Sequence, residues 1–168
     1  MQLTKPRPAP WIAVFAGFLL WSGLERMDTG TWLLEVAPAC AAAAILLATR
    51  RSFPLTRLAS VLILVHCSIL MVGGHYTYAE VPAGEWFRER VDPPRHKYDK
   101  LGHLAQGCVP AIVAREVTIR LDVFNSAAWR NFFIVCFCLA VSAFYELIEW
   151  WVALLSDEAA DAFLGTQG

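Results

Sequence analysis

The amino-acid sequence predicts an all-α, polytopic transmembrane helix bundle of about five spans. Two observations carry that expectation. Of the 168 residues, 57% are hydrophobic and only 17% are charged, whereas a soluble domain carries about a quarter charged residues. The apolar residues also gather into runs long enough to cross about 30 Å of hydrocarbon. Residues 1–168 therefore read as one integral membrane domain with the lipid bilayer as its first partner. The formal net charge of −1 speaks against nucleic acid.

The spans follow in order. A polar, proline-rich start with Lys5 and Arg7 precedes an apolar run over 9–24. No small-x-small cleavage pattern follows this run, so it reads as a helix and not as a signal peptide. The second span, 31–49, carries Glu35 near its start and small residues over 39–44, which permit close helix approach in lipid. Pro38 should kink it or need a neighbour for the freed carbonyl. The third span, 58–78, contains His66 and the Gly73–Gly74 pair. A mixed-charge loop over 80–97 leads to a fourth span at 99–117, interrupted by Pro110, and a fifth at 131–155. The five cysteines all lie within apolar segments, with no CxxC pair. Small packing residues are the expectation for them, not a disulfide framework or a zinc site.

Lys and Arg set the orientation. Lys5 and Arg7, then Arg50, Arg51 and Arg57, then Arg115, Arg120 and Arg130 mark alternate turns. The positive-inside rule makes those turns cytoplasmic, with the N-terminus inside. The 80–97 loop and the acidic tail, with Asp157, Glu158 and Asp161, then fall outside. This is the pattern of a multi-pass protein of a bacterial inner membrane.

That orientation makes three polar stretches interesting, namely HYTYAEVP at 75–82, YDKLGHLAQG at 98–107 and FYELIEWW at 144–151. Each sits at the outer end of its span. Ionisable groups there cost a few kcal/mol unless paired, so they usually have a task. Asp99, His103 and Gln106 share a helix face, and Glu146 and Glu149 are one turn apart. The expected site has Glu146, Glu149, His103 and Asp99 as acid, base or metal ligands. His75, Tyr78, Glu80, Lys100 and Gln106 line it as substrate-binding groups. A divalent metal is possible from the carboxylates and His, although the complete Glu-x-x-His signature of helical carboxylate sites is missing. General acid–base work fits the same groups. A polar network that only fixes helix packing, with Asp99 as a cap, is the competing account. Lys100 can snorkel at a helix end, and His66 reads as a packing residue.

These stretches, with Arg115-Glu116 and the AFLGTQG at 162–168, resemble the YjdF-type family of bacterial inner-membrane proteins. The resemblance covers roughly residues 50–168. More distantly, Asp99-Lys100-x-x-His103 followed by Glu146-x-x-Glu149 is similar to the VanZ-like pattern, where the second acid is usually Gln. Some VanZ-like proteins are associated with glycopeptide resistance, which implies an envelope role. Neither family carries an established reaction. Family members continue past GTQG with an aspartate-rich turn and a further helix. The expectation is that those acids complete the site, and a chain truncated at Gly168 would lack them.

Three functions fit. The first is a membrane-embedded enzyme acting on an envelope lipid or a lipid-linked or phosphorylated intermediate. The second is a small-solute or ion transporter, which would usually need a larger bundle or a repeat. The third is a structural membrane subunit. The oligomeric state is open.

Overall fold

The computed structural model describes residues 8–77, 81 and 97–155. Every regular element among them is a helix. In chain order these are α1 (Pro8–Gly23), α2 (Thr29–Thr49), α3 (Arg57–His75), α4 (Lys97–Arg120) and α5 (Ala127–Leu155). By length and composition, α2, α3 and residues Ala127–Val152 of α5 can each cross a membrane. Helix α1 is apolar but has 16 residues, which at 1.5 Å per residue spans about 24 Å. Helix α4 is not among the long apolar helices. Lys97, Asp99, Lys100 and His103 near its start, and Arg115, Glu116 and Arg120 near its end, shorten its apolar middle.

The chain divides into two compact units, Met1–Ala105 and Gln106–Gly168, with the boundary inside α4. In the first unit, α1 and α3 run parallel to each other and antiparallel to α2. The Trp11 Nε1–H donates to the Ser60 carbonyl at 2.8 Å, joining the starts of α1 and α3. At the other end the Met27 N–H donates to the His75 carbonyl at 3.2 Å. Between them lies a core of Val36, Ala39, Cys67 and Met71, with Phe15, Phe18 and Leu19 of α1 packed against it. Ala39 and Ala59 are fully buried, as small residues at helix contacts should be. The Cys67 thiol donates to the Ala39 carbonyl at 3.8 Å, and all five cysteines are free.

Local chemistry sets the helix ends. Pro8 and Pro10 stand in the first turn of α1, where a missing N–H costs little. Asp28 caps α2 by accepting from the Thr31 N–H, and Thr56 caps α3 by accepting from Ala59 N–H. Such caps satisfy donors that the helix cannot. Helix α3 stops at His75, three residues before the expected end, where Thr77 turns to φ 52°. Helices α2 and α4 run through Pro38 and Pro110 unbroken.

In the second unit, α4 outruns its expected end and closes at Asp122, which has φ 50°. The Val123 N–H donates back to the Thr118 carbonyl at 3.1 Å, a left-handed cap that Asp tolerates. Glu116 accepts from Arg120 Nη1 at 2.8 Å, one turn along the helix. Helix α5 begins earlier than expected, at Ala127, and Phe133 in its second turn packs on Phe124 with ring centroids 5.1 Å apart.

Candidate functional site

The polar groups of the first unit collect at one end. The C-terminus of α1, the N-terminus of α2 and the C-terminus of α3 meet there, as the Met27–His75 bond requires. Ser22 is completely buried and accepts from Trp32 Nε1–H at 3.1 Å. Its carbonyl lies 3.1 Å from His75 Nδ1. The His75 ring packs against Trp21 and Tyr76, with centroids 4.7 and 4.5 Å away. Arg26 bonds the Gly23 carbonyl at 2.9 Å and sits 5.1 Å over the Trp32 ring. These contacts make this end a polar cap. Arg50, Arg51 and Arg57 stand exposed at the opposite end.

Below the cap lies Glu35, with only 1% of its surface exposed. The packing that buries it depends on Gly74, where a Cβ would stand 3.0 Å from Glu35 Cβ and 3.3 Å from the Trp32 Cα. Thr31, one turn earlier on α2, is 3% exposed, and its Oγ1 is buried without a hydrogen-bond partner. Tyr98, at the start of α4, donates its hydroxyl to the Ile69 carbonyl at 2.9 Å. None of these four residues was among the expected site residues. The signal was present in the sequence: Glu35 is an acid well inside an apolar run, with a Thr at i−4.

The expected site residues fall as follows. His75 joins the polar cap through backbone and ring contacts. Lys100 and His103 are exposed on α4, and Gln106 is half-buried on the same helix. His103 belongs to the first unit, while Glu146 and Glu149 belong to the second. Glu146 is exposed and Glu149 half-buried, one turn apart near the end of α5. Tyr78 and Glu80 lie outside the described residues, as does the side chain of Asp99. Among the described residues no group of three or more His, Cys, Asp or Glu is arranged to hold a metal.

Comparison with known proteins adds the family. The model of a family described as "Predicted membrane protein (DUF2238)" matches residues 8–168. The inner membrane protein YjdF of Escherichia coli (strain K12) is 50% identical over 150 residues, covering 89% of this chain and 72% of that protein. No solved structure matches. These matches bear out the YjdF-type resemblance, and the VanZ-like pattern gains no support from them. With three helices able to span a bilayer, the molecule is a multi-pass inner-membrane protein, and the chain belongs to the DUF2238 family of predicted membrane proteins.

Proposed function

We propose that this protein acts on an envelope lipid, or on a lipid-linked or phosphorylated intermediate, from the outer face of the inner membrane. The observation that carries this reading is the segregation within the first unit. Acidic and hydrogen-bonding groups occupy one end of α1–α3, and the exposed Arg50, Arg51 and Arg57 mark the other. The positive-inside rule turns the arginine end to the cytoplasm and the polar end outward, with the N-terminus cytoplasmic. Headgroup chemistry happens at that depth. In this reading Glu146 and Glu149 supply acid and base, His103 is oriented by Asp99, and His75, Tyr78, Glu80, Lys100 and Gln106 hold the substrate.

The test is complementation read by lipid analysis. Cells lacking the gene should accumulate one envelope lipid or lipid-linked species, and the intact gene should restore the normal profile. Glu149→Gln and His103→Ala, each inserted at the normal level, should fail to restore it. An unchanged profile on deletion, or full restoration by both variants, would contradict the reading.

A further inference from the structure

We propose that the turn between α2 and α3 binds the headgroup of an anionic phospholipid, with an acyl chain lying along α3. This surface is at the end of the first unit away from the polar cap, and it does not rest on the lipid-processing reading. Arg50, Arg51 and Arg57 all stand exposed there. None of their guanidinium groups has a hydrogen bond or ion pair among the described residues. The sequence offers no nearby counter-charge either, since no Asp or Glu occurs between Glu35 and Glu80. Other arginines are engaged. Arg26 bonds the Gly23 carbonyl and the Thr29 hydroxyl and lies over the Trp32 ring, and Arg120 is paired with Glu116.

Helix electrostatics accounts for part of the cluster only. Arg50 is the C-cap of α2, where a cation suits the negative helix end. Arg57 opens α3 directly after the Thr56 cap, in a first turn that has no acid. There the helix end is itself positive, and a cation is unfavourable. The connection holds the cluster together, because the Thr49 carbonyl accepts from the Phe53 N–H at 2.7 Å and from Ser52 Oγ at 3.2 Å. Three positive charges so placed call for an anion from outside the chain, and phosphate oxygens match the guanidinium fork.

The helix that follows supplies the apolar half. Leu58, Val61 and Val65 are all exposed on α3, and the i, i+4, i+8 spacing puts Arg57, Val61 and Val65 on one face. A ligand along this face meets a guanidinium first and then about 12 Å of apolar helix. Anion followed by hydrocarbon is the order of groups in a phospholipid, and α3 is long and apolar enough to cross a membrane. A soluble phosphate would leave the stripe uncovered. A zwitterionic lipid would bring its own cation to the arginines.

Native mass spectrometry of the purified full chain in detergent tests this, with phosphatidylglycerol and phosphatidylcholine of identical acyl chains titrated separately. Phosphatidylglycerol should bind at least about tenfold tighter. Arg50→Gln and Arg57→Gln, made singly so that the turn keeps two cations, should each weaken it about fivefold and leave phosphatidylcholine binding unchanged. These side chains are exposed, so both variants should melt within a few degrees of the parent. Arg26→Gln removes the same charge at the other end and should leave both affinities unchanged. Glycerol phosphate, an anion without chains, should bind at least about tenfold more weakly than phosphatidylglycerol. Equal affinity for the two lipids would overturn the proposal, as would parental phosphatidylglycerol affinity in Arg50→Gln and Arg57→Gln. An equal loss in Arg26→Gln, or glycerol phosphate binding as tightly as the lipid, would also overturn it.

Discussion

A methyl group at Gly74 would crowd α2. Its Cβ would stand 3.0 Å from Glu35 Cβ and 3.3 Å from the Trp32 backbone, so α3 would have to move away from α2. Gly74→Ala should cost about 1–3 kcal/mol, as overpacking of a tight core does. Gly17 in α1 has nothing within 4 Å of the same position. There Ala should be neutral or slightly stabilising, since glycine weakens a helix interior by up to about 1 kcal/mol. Melting both variants in one detergent checks the pair. At this scale the sequence was partly legible. His75 stood out because an ionisable ring at the end of an apolar run is conspicuous, and it does lie in the polar cap. Glu35, near the start of its span, does not stand out in the same way. What buries it is the glycine on the next helix, a relation between α2 and α3 that residue spacing along one helix cannot express.

Two contrasts test the elements. Asp28 caps α2, and its loss in Asp28→Ala should cost about 1 kcal/mol. Met71 is completely buried in the core of α1–α3, whereas Leu139 on α5 is 65% exposed. Met71→Ala should cost about 2–5 kcal/mol through the cavity it leaves, and Leu139→Ala about half a kcal/mol or less. Equal losses at both positions would mean that α5 packs as tightly as α3. The existence and order of the five helices were readable from hydropathy alone, because apolar runs separated by charged turns admit little else. Their ends were less readable. Helix α4 was expected to stop near 117 but runs to Arg120 and closes where the Val123 N–H bonds back to the Thr118 carbonyl at 3.1 Å. Helix α5 starts at Ala127 because Ser126 accepts the Arg130 N–H at 3.0 Å. Such caps act through hydrogen bonds that a hydropathy profile does not contain.

For the whole molecule, the direction in which the first unit faces is decisive. Its arginine end and its polar end lie at opposite ends of α1–α3, so one orientation decides the side on which the groups of that unit work. Met27 sits exposed in the turn between α1 and α2, and Ser52 sits exposed between α2 and α3. Each can carry a single cysteine in a chain whose five native cysteines are replaced by alanine or serine. Labelling with a membrane-impermeant maleimide, in intact spheroplasts and again after lysis, reads the two sides. Met27→Cys should react in intact spheroplasts and Ser52→Cys only after lysis. The reverse pattern would put the polar end in the cytoplasm and contradict an outward-facing function.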